Sequence, residues 1–178
     1  MNAHRAVRRE AGSENARSLT PGEWRSLSGG LAAALRAAGA RPSLRPAAHP
    51  AARLAAIWRR RTPILTRGDT IWWPAAPPDL SAAGRERGMA TLQHELQHVL
   101  DYRIGWLTAA GYLSSPRHWT YRWRLEDISD WDDLGAEQRA SIAEQLWLIE
   151  HGYAPADDLP ALRRLIPWAP SEEACAIA

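Results

Sequence analysis

Apolar positions along the chain fall into helical stripes in two stretches and into β-type runs in a third. At the helical period, Met89, Leu92, Leu96, Val99 and Leu100 lie within one arc of roughly a hundred degrees. His94, His98 and Asp101 lie on an arc almost opposite, with Glu95 between the two. This pattern predicts a helix that seals a core with one face and presents imidazoles to a cleft with the other. A second strong helix is expected from Ala136 to about His151. Its core stripe is Ile142, Ala143, Leu146 and Ile149, and Glu137, Ser141, Glu144 and Leu148 face the other way.

Shorter elements surround these two. Thr20, Pro21 and Glu23 spell a helix start, with threonine as cap, proline at the first position and glutamate completing the capping box. That helix carries Trp24 and Leu27, meets Gly29 and Gly30, and resumes through Leu31, Leu35 and Ala38. Residues 40–50, with three prolines, read as a linker before a short helix over 50–60. Thr62 to Thr66 and Thr70 to Trp73 are β-type runs around Arg67, Gly68 and Asp69, the signature of a hairpin. As a hairpin loop, that Arg-Gly-Asp triplet needs no adhesive role. Ser81 or a residue soon after opens the histidine-bearing helix, and residues 118–128 read as an extended aromatic and charged stretch. One short helix is expected near Ala161 to Leu165. The expected organisation is a loose arm over 1–18, a domain over 19–151 and a C-terminal wrap or tail over 152–178.

Composition narrows the class. With 178 residues, 46% of them apolar and 24% charged, the chain can bury one core. Every one of the 22 basic residues is arginine, and ten tryptophans stand where phenylalanine is absent. This is the coding bias of a GC-rich genome, so single arginines say little about function. Arg59, Arg60 and Arg61 form one tight basic cluster, which does not amount to a nucleic-acid surface. No run is apolar enough to span a membrane and the N-terminus has no apolar signal region, so the default expectation is cytoplasmic, with signal-independent export as the other route. The lone Cys175 excludes an internal disulfide.

The chemistry lies in His94, Glu95, Leu96, Gln97 and His98, an H-E-x-x-H pattern. Two histidines four apart on a helix can hold one metal ion, and the adjacent glutamate can take a proton from a water. A catalytic zinc needs a third protein ligand, and the spacing that would supply a downstream histidine is broken by Asp101 and Ile104. Glu137, in the first turn of the second helix and pointed away from its core stripe, is the candidate. A glutamate there also suits the helix dipole, and the upstream motif tips the reading towards a ligand. Glu144 on the same face is the reserve, and either Glu144 or Asp101 could orient a ligand histidine.

With these residues placed, the chain resembles the zincin metallopeptidases of the gluzincin branch, and more closely a group of small bacterial zincin-like domains. The resemblance is carried by His94 to Tyr102, by Tyr121 to Leu125, and by Glu137, Gln138 and Ala140. Trp123 and Asp101 depart from the residues usual in that group. The resemblance implies an α+β, mainly helical, minimal zincin-like domain with a β-hairpin or small sheet packed on the motif helix. It implies Zn²⁺ held by His94, His98 and Glu137, Glu95 as general base, and hydrolysis of a peptide or protein substrate. His118 and Tyr121 are the candidates for stabilising the oxyanion, Trp72 and Trp73 for walling the cleft, and the hairpin edge for pairing with an extended substrate. Some members of the group occur beside contractile-injection or toxin systems, which implies a partner there; no nucleic-acid or membrane partner is expected. The rival expectation is a zinc-stabilised binding or accessory domain of such a system, without turnover.

Overall fold

Thr20 caps the first helix as its sequence demands: its hydroxyl accepts the Glu23 amide at 3.0 Å, and the Glu23 carboxylate accepts the Thr20 amide at 2.8 Å. In this computed structural model, which describes residues 16–50, 52 and 63–169, that box starts α1 (Pro21–Ser26). Helix α2 (Gly29–Ala37) follows after a break, as the glycine pair suggests. Glu23 is fully buried. Arg17 clamps both its oxygens at 2.8 and 2.7 Å, and the Leu80 amide donates to it at 2.9 Å.

The expected linker contains a strand. β2 (Ser43–Arg45) lies between β1 (Arg17–Ser18) and the hairpin strand β4 (Thr70–Trp72), antiparallel to the first and parallel to the second. Pro42 and Pro46 bracket it, so three residues were too few to show alternation. What holds the strand is pairing and the complete burial of Leu44 beside Ile71. The hairpin forms as predicted: β3 (Leu65–Arg67) pairs antiparallel with β4, and the sheet order is β1-β2-β4-β3. Arg67 pairs with Thr70, so the turn proper is Gly68 and Asp69, with Gly68 at φ 57°. Asp69 accepts from Arg103 Nε at 2.6 Å and from the Arg41 amide at 3.0 Å. The Arg-Gly-Asp triplet is therefore a structural corner.

The motif helix, α3 (Glu86–Arg103), starts later than Ser81. Asp79 captures the Ser81 amide and hydroxyl at 2.9 and 2.7 Å, and this local turn displaces the first helical turn. Met89, Leu92, Leu96, Val99 and Leu100 are buried as the periodicity requires, against Leu31, Leu35, Leu44 and Ile71. Fully burying each of these Leu and Ile side chains contributes about 1.5–3 kcal/mol. The opposite face is also covered. Where the wheel suggested an open cleft, α5 (Ala136–Glu150) packs along α3.

Between them, α4 (Ala109–Ser114) and three 3₁₀ turns at Pro116–Trp119, Leu125–Asp127 and Trp131–Asp133 carry the chain round. Residues 120–124 are irregular, so the expected extended stretch is extended only in part. Helix α5 has the predicted stripe: Ile142, Leu146 and Ile149 pack with Leu162 and Ile166 of the segment containing α6 (Leu159–Leu165). The architecture is α+β and mainly helical, with six α-helices and one four-stranded sheet among the described residues. Apart from residues 50 and 52, the helix expected over 50–60 lies outside them, as do the 59–61 arginines, Cys175 and nearly all of the 1–18 arm. No helix of the described residues is long and apolar enough to cross a membrane.

Several charged side chains are buried where α3 meets α5. Arg139, 1% exposed, lies 3.5 Å over the Trp106 ring centroid and 5.2 Å from that of Trp131. It donates to the Trp131 carbonyl at 3.2 Å and to Asp132 at 2.7 Å, and its Nη1 stands 3.6 Å from Asp101 Oδ1. Burial raises the Asp101 carboxyl to about 6, in spite of the opposing pull of Arg139. Arg139→Ala leaves that carboxyl buried without its arginine counter-charge, and should cost about 3–5 kcal/mol in urea unfolding at about pH 8. Without its partner Asp101 takes a proton more readily in the folded state, so stability falls as pH rises and the loss should be smaller near pH 5.

Candidate metal centre

Helical geometry sets the first two donors. His94 and His98 are one turn apart on α3, their rings 5.1 Å centroid to centroid and nearly perpendicular. Both turn Nε2 towards α5. Glu137 Oε2 lies 3.2 Å from His94 Nε2 and 3.5 Å from His98 Nε2. The three residues offer donor atoms within 4.8 Å of one another and are 8, 7 and 5% exposed. Among the described residues they are the one such cluster.

The two nitrogen–oxygen separations suit a tetrahedral ion. Donors about 2.0–2.1 Å from a tetrahedral centre are about 3.3–3.4 Å apart, between the two nitrogen–oxygen separations found here. The donor set of two imidazoles and one carboxylate suits zinc and other divalent first-row metals. Glu95 and Glu144 add charge around the same histidines. Burial works against a charge on His94, yet Glu137, Glu144 and Glu95 together raise its imidazole to about 10. Burial also opposes ionised Glu137, but hydrogen bonds from His94 and His98 hold its carboxyl well below the usual carboxylate range. A divalent cation would take over the role that the His94 proton plays in this arrangement.

Two of the three donors, His94 and Glu137, are braced. Glu144 Oε2 stands 3.3 Å from His94 Nδ1, in ion-pair range without hydrogen-bond alignment. It therefore lies behind the ring, on the side away from Glu137, and is placed to orient His94. Tyr112 on α4 donates its hydroxyl to Glu137 Oε1 at 2.6 Å. Asp101 does not orient a histidine by hydrogen bonding. Its Oδ1 is taken by Gln97 Nε2 at 2.9 Å, and both its Oδ2 and His98 Nδ1 are buried without a hydrogen-bond partner. Glu95, beside His94, accepts from Thr66 Oγ1 of β3 at 2.7 Å.

The two aromatic candidates occupy different places. The Tyr121 ring lies parallel to that of His94 at 6.1 Å and is 55% exposed, at the mouth of the cluster. His118 is buried at the foot of α5. Its Nδ1 accepts the Ala136 amide at 3.1 Å, and burial, Arg117 and Arg139 keep its imidazole below the ordinary histidine value. Its ring is stacked 6.3 Å from that of Tyr112. Of the tryptophans, Trp72 meets His49 edge-on at 4.6 Å and Trp73 packs against the core.

Gly135, at the cap position before helix α5, has no side chain to cap with. His118 Nδ1 and Gln138 Oε1 accept the first amides of the helix instead. A β-carbon on Gly135 would stand 2.0 Å from the Arg117 carbonyl oxygen, so the turn and the helix start can approach this closely only with glycine. The residues that sequence reading missed are Thr66 and Tyr112. Neither belongs to a motif, and only three-dimensional packing brings them to the carboxylates. Protein-family models, curated proteins and solved structures were each compared with the chain, and none matches.

Two outcomes follow from this geometry. A raised His94 value stabilises the folded, chelator-treated protein fully below the ordinary histidine pKa and loses that contribution as pH rises towards 10. A divalent ion bound there would have to displace the same proton, so affinity for added Zn²⁺, measured by competition with a chromophoric chelator, should rise by about tenfold per pH unit between roughly pH 6 and 8. Gly135→Ala should push the first turn of α5, and Glu137 with it, away from the histidines. The same titration should then show zinc affinity reduced roughly 10–100-fold, with far-ultraviolet circular dichroism little changed.

Proposed function

We propose that the protein is a zinc-dependent hydrolase of peptide bonds. The observation that carries this reading is the convergence of His94 Nε2, His98 Nε2 and Glu137 Oε2 beside a glutamate held by an edge strand. Zinc bound by these three atoms would lower the pKa of a water and polarise a carbonyl. Thr66 occupies Glu95 Oε2 and so orients the carboxylate, leaving Oε1 to accept the proton of the attacking water and return it to the leaving amine. β3 pairs with β4 on one side and is the last strand of the sheet among the described residues. An extended peptide laid along its outer side by main-chain hydrogen bonds would pass next to Glu95. Tyr121, exposed beside His94, is the phenol best placed to reach a developing oxyanion, with the Nε2–H of neutral His118 as the deeper alternative.

The burial of all three donors favours a second reading, in which the metal only ties α3 to α5 in a binding or accessory domain. One variant separates the two. Glu95→Gln should keep one zinc per chain by elemental analysis and keep the melting temperature, while hydrolysis of a fluorogenic peptide library falls by about 10²–10⁴-fold. Activity equal to the wild type would refute the hydrolytic mechanism. A wild type that binds zinc, melts lower with chelator and cuts nothing would support the accessory role.

A further inference from the structure

We infer that Tyr112 is a positioning residue that makes Glu137 a one-oxygen ligand and so keeps the metal centre at three protein donors. The inference rests on the metal-binding part of the function proposed above and is independent of whether hydrolysis occurs. A carboxylate can give a metal ion one oxygen or two, and the second mode would fill the position a catalytic centre leaves open. Glu137 divides its oxygens. Oε2 faces both imidazoles at 3.2 and 3.5 Å, while Oε1 takes the Tyr112 hydroxyl at 2.6 Å, a short hydrogen bond to a charged acceptor.

Tyr112 is itself held from three directions. The Thr108 hydroxyl accepts the Gly111 amide at 3.0 Å and caps the short helix that carries the tyrosine. Trp119 Nε1 donates to the Tyr112 carbonyl at 2.8 Å. The His118 ring lies parallel to the phenol and is fixed in turn by its hydrogen bond to the Ala136 amide, one residue before Glu137. The phenol and the carboxylate it holds are thus referenced to the same helix start.

The test uses cobalt as a spectroscopic probe in the full chain. Wild-type protein loaded with Co²⁺ should show the intense visible absorption of a four-coordinate ion. Tyr112→Phe should weaken zinc binding by roughly 10–100-fold in chelator competition and reduce the cobalt absorption as the freed Oε1 joins the ion. Thr20→Ala, which removes the cap of α1 away from the cluster, should lower the melting temperature and leave the cobalt spectrum unchanged. An unchanged affinity and spectrum in Tyr112→Phe would overturn the inference, as would an equal spectral change in Thr20→Ala. Should Tyr112→Phe fail to fold, the wild-type spectrum decides, and the weak absorption of a five- or six-coordinate ion overturns it. Protein that takes up neither metal refutes the metal centre as a whole. Protein that takes up both with the expected spectra and cleaves nothing refutes only the hydrolytic reading.

Discussion

The contact between α3 and α5 is the constraint on which the rest depends. Each helix has an apolar stripe turned to a separate core cluster, and each turns its polar face to the other. Burying two polar faces against one another is unfavourable unless the groups pair, because each charge has lost its water. The chain meets that demand at two neighbouring points near the start of α5. Arg139 lies against two indoles and within reach of Asp101, and Glu137, two residues before it, meets two imidazoles. The candidate site is therefore also a part of what holds the fold together, which is why its residues resist separation into structural and chemical roles.

The remaining elements position that seam. The sheet and α2 cover the apolar side of α3, and the segment through α6 covers that of α5. The stretch from α4 to Gly135 closes the third side and delivers Tyr112, His118 and Tyr121 around Glu137 and His94. Its structure is short turns fixed by side-chain contacts, since a regular helix or strand could not fold back tightly enough to place a β-carbon-free residue against the Arg117 carbonyl.

How much of this could be read from the sequence follows from how local each signal is. The helix carrying His94 and His98, and the one carrying Glu137, announced themselves by period, and so did their division into two faces. The capping box at Thr20 and the hairpin around Gly68 are likewise determined within a few residues. Strand β2 was not legible, because its three residues owe their conformation to Thr70, Ile71 and Trp72 of β4. Burial of the histidine face was not legible either, since a helical wheel shows that two sides differ but not what lies on each. Thr66 and Tyr112 lie 29 and 25 residues from the carboxylates they brace, distances that no motif spans.

The hairpin is fastened to α3 at two places: Thr66 holds Glu95, and the turn residue Asp69 holds Arg103 two helical turns further on. One attachment would act as a pivot, whereas two define an axis and oppose both swivelling and sliding. The edge strand and the motif helix consequently form a single jaw of fixed gauge. Should an extended chain enter as proposed above, any widening would fall to the turn-built stretch around Tyr121, whose ring lies beside His94 and is half in solvent. Selectivity for what enters would then be set by how far that stretch yields, while the distance from strand to glutamate stays constant.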